Sequence, residues 1–124
     1  MPDKTILVAV NDIFFYTKLR DALLPHGYKL ERARTQEDFS TKAISTRPSA
    51  VVMNMNDMNL DPFKALGMLK ADAALAKTPI LVFANHEEVD TWQRAKALGV
   101  SKIVSRNEFS ARTKELVEEI LSPG

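Results

Sequence analysis

The chain has no cysteine, which excludes disulfides, thiolate metal sites and thiol nucleophiles and fits a reducing compartment. It has only four glycines, and none of them forms a Gly-rich phosphate loop. Charge is nearly balanced: 17 basic and 16 acidic residues leave a formal net charge of +1, too little to draw the protein to nucleic acid or an anionic membrane. No apolar stretch approaches the roughly 20 residues needed to cross a bilayer. Met1-Pro2-Asp3-Lys4 leads into a strand-like run without a charged-then-apolar leader, so no secretory signal is expected and the protein reads as soluble and cytoplasmic.

What is present is apolar material, 45% of 124 residues, enough for one domain over residues 1–124 with roughly two-thirds of its unfolded surface buried. Three runs are β-prone and continuously apolar: Thr5 to Val10, Ala50 to Met53, and Ile80 to Ala84. Such runs read as strands covered on both faces. Tyr28 to Ala33 alternates instead, as a strand near a sheet edge does, and Lys102 to Ser105 reads as a short last strand.

Between the strands lie helical patterns. Asn11-Asp12 offers a cap before a stripe of Phe15, Leu19, Ala22, Leu23 and His26, closed at Gly27. Thr35-Gln36-Glu37-Asp38 resembles a capping box before a short, thinly striped helix with Phe39 and Ala43, ending at Arg47-Pro48. Pro62 opens a helix with Phe63, Leu66, Met68, Leu69 and, near its end, Ala73. Glu87 to Leu98 points Val89, Trp92, Ala95 and Leu98 inward, and a last helix from about Glu108 to Leu121 does so with Phe109, Leu116, Val117 and Ile120. Five strands alternating with five helices imply right-handed crossovers and a parallel α/β sheet between helical layers. The ends of the interior strands, at Asn11-Asp12, Asn54 and Ala84-Asn85, are then expected to line one crevice. The start at Met1 and the lack of a C-terminal linker suggest a free-standing domain.

Over nearly its full length the chain resembles the CheY-like receiver domain of bacterial two-component response regulators. The resemblance rests on Lys4 to Phe15, on Arg47 to Asn54, on Leu69-Lys70-Ala71-Asp72 with Thr78-Pro79-Ile80-Leu81, and on Ala97 to Lys102. It implies a doubly wound flavodoxin-like (βα)5 fold with strands in the order 2-1-3-4-5. It also implies where the family's phosphotransfer residues would fall. The phosphoacceptor aspartate falls on Asn54, the acidic magnesium-holding pair on Val10 and Asn11, the hydroxyl on Ala84, the lysine-proline pair on Arg106-Asn107, and the aromatic switch on Ile103. Spacing to Gly27 supports this register; a shift by one would bring Asp12 into the pair.

Each of these changes removes chemistry. An amide is not a nucleophile for acyl-phosphate formation, Mg²⁺ takes anionic oxygens, and arginine keeps a cation without the reach of an amine. The expectation is a degenerate receiver, or pseudo-receiver: not an enzyme, with no cofactor and no Mg²⁺. It would act on protein partners through the fourth helix, fifth strand and fifth helix, including Trp92, Lys96, Lys102, Ile103, Arg112 and Glu115. The alternative is a small-ligand or anion sensor using Arg106, Asn54 and Asn11, with Asp12, Asn56 and Asn85 as further crevice ligands.

Several residues also have plainer readings. Asn54 satisfies backbone groups at a strand end, Asp12 caps a helix, and Asp57 and Asp61 face water in their loop. His86 begins a helix, Arg106 is solvated, Trp92 packs in the core with an edge available for binding, and Met53, Met55 and Met58 are flexible packing.

Overall fold

The computed structural model describes residues 4–57 and 59–121. Met1 to Asp3, Met58 and the terminal Ser122 to Gly124 lie outside the described residues. The three apolar runs form β1 (Thr5–Ala9), β3 (Ala50–Asn54) and β4 (Ile80–Ala84); the alternating segment forms β2 (Lys29–Arg32) and the last strand is β5 (Lys102–Ser105). All pair in parallel in the order β2-β1-β3-β4-β5, so the alternating strand lies at an edge and the apolar ones inside.

Because successive side chains of a strand point to opposite faces, the sheet has two cores. Ile6, Val8, Ala50, Val52, Leu81 and Phe83 face α1 (Ile13–Leu23), α5 (Arg106–Ala111) and α6 (Thr113–Leu121). Leu7, Ala9, Val51, Met53, Ile80 and Val82 face α2 (Gln36–Thr46), α3 (Pro62–Ala71) and α4 (Val89–Ala97). On the first face Phe83 stacks on Phe109 with centroids 4.1 Å apart and lies 4.9 Å from Phe15, so one aromatic group binds β4 to α1 and α5.

Helix punctuation follows side-chain chemistry. Asp12 Oδ1 accepts from the N–H groups of Phe14 and Phe15, Thr35 Oγ1 from that of Asp38, and Asp61 Oδ1 from that of Lys64. Half of the predicted capping box is displaced by one residue, since Asp38 accepts from Arg34 N–H. Gly27, at φ 87°, closes a 3-10 turn (Leu24–His26) that follows α1.

The structure corrects several helix expectations. His26 falls in that 3-10 turn and is exposed. The second helix is not short: α2 matches α1 at 11 residues and is anchored by the fully buried Phe39 and Ala43. Helix α3 ends at Ala71, leaving Ala73 exposed. Val89 opens α4 and is 59% exposed, so the inward stripe starts at Trp92. The last helix is two helices. At the break the buried Thr113 hydroxyl donates to the Phe109 carbonyl, the acceptor a continuous helix offers to the Thr113 amide, and Arg112 leaves helical geometry.

Phe83→Ala is expected to lower unfolding free energy by about 3–5 kcal/mol, whereas Ile44→Ala on the exposed face of α2 should stay within about 0.5 kcal/mol, both read from urea denaturation.

Candidate functional site at the strand ends

The crevice begins where β1 runs out of apolar residues. Val10 is fully buried and continues the core, and Asn11 is the first polar group. Its backbone N–H donates to Asp57 Oδ2 at 3.0 Å, and its side-chain Nδ2 donates to the same carboxylate at 3.0 and 3.3 Å and to the Arg34 carbonyl at 3.3 Å. Asn59 N–H donates to Asp57 Oδ1 at 2.8 Å. Asp57, expected to face water, is instead 9% exposed. A buried carboxylate needs donors, and two asparagines supply them.

Asn54 ends β3 with 8% exposure, and its Oδ1 accepts from Asn56 N–H at 2.9 Å, closing a local turn. Asn56 spans to the next loop: Oδ1 accepts from Asn85 N–H at 3.0 Å and Nδ2 donates to Glu88 Oε1 at 2.7 Å. Asn85 Oδ1 in turn accepts from Glu87 N–H. Ala84 is buried and brings no hydroxyl to the crevice. Arg106 is the first residue of α5; its guanidinium lies 5.7 Å from the Phe15 ring centroid and, among the described residues, forms no ion pair, including with Asp12. His86 is exposed and lies 4.0 Å from Glu87.

Two adjoining cavities lie along the strand ends, joined by the Asn85 N–H to Asn56 Oδ1 hydrogen bond. One of about 260 Å³ is lined by Asn11, Asp12, Asn54, Asn56, Asp57 and Asn59. The other, of about 330 Å³, is lined by residues including Phe15, Asn85, His86, Arg106 and Asn107. Arg106 lines the second of these cavities, Asn11 and Asn54 the first.

The smaller cavity fits Mg²⁺ poorly. That ion needs near-octahedral oxygen ligands, chiefly carboxylates and water. Val10 has no ligand atom, Asn11 directs its amide donors at Asp57, and Asp12 Oδ1 is taken by the α1 cap. Among the described residues there is no group of three or more His, Cys, Asp or Glu placed to hold a metal.

The six expected surface residues occupy neighbouring elements. Trp92 is half-buried, its indole N–H donating to the Asn85 carbonyl at 3.1 Å, with Lys96 Nζ 6.0 Å from its ring. Lys102 pairs with Glu119, and Arg112 pairs with Glu108, Glu115 and Glu119. Ile103 is half-buried against the α4-side core. Glu108 and Glu119 complete this cluster. The spacing of Glu108 and Glu115 from Arg112, by four and three residues, was a readable signal for part of it. For Asp57 no comparable spacing exists.

No protein-family profile matches the chain, and no curated protein matches it. Solved structures do. A chain described as a response regulator from Chloroflexus aurantiacus superposes with a TM-score of 0.87 at 16% identity, over 98% of this chain and 100% of that one. The phosphorylated cyanobacterial phytochrome response regulator RcpA gives 0.83 at 17% identity, over 98% and 96%. The receiver domain of a sensor histidine kinase from Pseudomonas aeruginosa, with magnesium coordinated in its active-site cleft, gives 0.82 at 15% identity, over 97% and 98%. The fold is that of CheY-like receiver domains.

Lys102 first, by hydrogen bonding, and Arg112 beside it hold the Glu119 carboxyl below the usual carboxylate range. A depressed acid stabilises the fold above its unfolded value and loses that contribution as pH falls through the folded one. The melting temperature of the wild type should therefore exceed that of Glu119→Gln at neutral pH, and the gap should close on acidification and on adding salt.

Proposed function

We propose that the chain is a receiver-fold signalling module of a bacterial two-component-type or related pathway that accepts no phosphoryl group and acts in the cytoplasm through protein contact. The observation that carries this reading is Asn54. An amide stands at the end of the central strand, and its oxygen is committed to Asn56 N–H, so the position has neither a nucleophile nor a free anionic oxygen. The losses at Val10, Asn11 and Ala84 point the same way. The module is not an enzyme in this reading; its working surface is the face of α4, β5 and the α5–α6 pair, carrying Trp92, Lys96, Lys102, Ile103, Arg112 and Glu115.

Incubation with acetyl phosphate and Mg²⁺ should leave the intact mass unchanged, and a stoichiometric, acid-stable and base-labile adduct would overturn the proposal. The face is tested by comparing proteins captured by the immobilised wild type with those captured by the double variant Lys96→Glu, Lys102→Glu. A partner held by the first and lost by the second is expected, and identical profiles would remove the face from the proposal.

An anion-sensing reading is favoured by one feature, the Arg106 guanidinium free of ion pairs among the described residues at the cavity of about 330 Å³. It requires that phosphate or a nucleotide raise the melting temperature of the wild type and not of Arg106→Ala, because a ligand that binds only the folded state must stabilise it.

A further inference from the structure

Three loops meet at the carboxyl ends of the strands, and the side chains that join them form a continuous path. At the β1 end, Asn11 gives both its backbone and side-chain N–H groups to Asp57. Asp57 belongs to the turn after β3, where its N–H donates to the Asn54 carbonyl and the adjacent Asn56 N–H donates to the Asn54 side chain. From that turn, Asn56 uses both ends of its amide on the β4–α4 loop, at Asn85 N–H and Glu88 Oε1. Glu88 Oε1 also accepts from Thr91 Oγ1, and the Asn85 carbonyl accepts from the Trp92 indole N–H, so the path ends on the first turn of α4.

We propose that Asn11, Asp57 and Asn56 act as a clasp that holds the β3–α3 turn against β1 and fixes α4, with Trp92, in a single position without a bound ion or phosphoryl group. Two features separate such a clasp from incidental polar contacts. Asp57 is buried with each oxygen accepting, so releasing it strands a charge. The Asn56 amide bridges as both donor and acceptor, so rotating it breaks both contacts to the β4–α4 loop together. The inference deepens the proposed function: the α4 face would be presented to partners constitutively rather than on signal. The clasp itself does not depend on who the partner is.

Trp92 is the only tryptophan in the chain, so its fluorescence reports the far end of the path directly. Glu88→Ala, at an exposed position that poses little risk to folding, and Asn56→Ala should each shift Trp92 emission to the red and increase its quenching by acrylamide. Asp57→Ala, with no atom on α4, should produce the same change if the path is coupled. Far-UV circular dichroism establishes that each variant is folded, and Asp57→Asn serves as the milder substitution should Asp57→Ala unfold. A Trp92 signal unchanged in folded Asn56→Ala would overturn the clasp, and one that responds to Asn56 but not to either Asp57 variant would overturn its coupling to β1. These readings involve neither acetyl phosphate nor a captured protein, so failure of the clasp and failure of the proposed function are distinguishable.

Discussion

A carboxylate that leaves water must find donors, and the strand-end loops are arranged around the one that has done so. Asp57 lies where the turn after β3 folds back toward β1, and the N–H groups of Asn11 and Asn59 converge on it. Leaving a buried charge without partners costs several kcal/mol, a large part of the roughly 5–15 kcal/mol by which a domain is stable. The turn therefore has one well-satisfied arrangement. Met55, which follows Asn54, donates its N–H to the Phe83 carbonyl, tying the same turn to β4.

The frame that makes this arrangement possible is the doubly covered sheet. Strands buried on both faces cannot shift register without exposing one core, so the ends of β1, β3 and β4 sit at fixed relative heights. The polar residues that follow meet for that reason. The aromatic group of Phe15, Phe83 and Phe109 adds rigidity under α1 and α5, the elements that flank the cavity of Arg106.

The sequence made the fold legible because its strongest signals are global ones. Continuous apolar runs at Thr5, Ala50 and Ile80 can only be interior strands in a sheet of this kind, and Gly27, Pro48 and Pro62 mark segment ends by backbone geometry. Strand order is different in kind: it rests on resemblance, since hydrophobic period says nothing about which parallel strands are neighbours. The helix errors have local causes. Val89 fits the α4 stripe by spacing, yet it is the first residue of the helix and is exposed. No glycine or proline marks the break at Arg112; what accompanies it is a threonine hydroxyl bonded to the Phe109 carbonyl, a contact that sequence spacing does not announce. Loop acids as a class face water, and nothing local marks Asp57 as an exception: its burial depends on Asn11, 46 residues away in the chain.

Amide chemistry accounts for how the strand-end loops hold one another. Ionised carboxylates only accept hydrogen bonds, so a cluster of them repels itself and draws in a cation or protons. An asparagine amide both donates and accepts, so several of them can satisfy one another and neighbouring backbone groups. Asn54 accepts from Asn56, Asn56 accepts from Asn85, and Asn11 donates to Asp57, which leaves a single buried carboxylate matched by amide donors. Here the amides and the one buried acid, Asp57, close on their own hydrogen bonds, while Asp12 is exposed and caps α1. Amides at Asn11, Asn54 and Asn56 act together, so no one of them alone accounts for how the strand-end loops are joined.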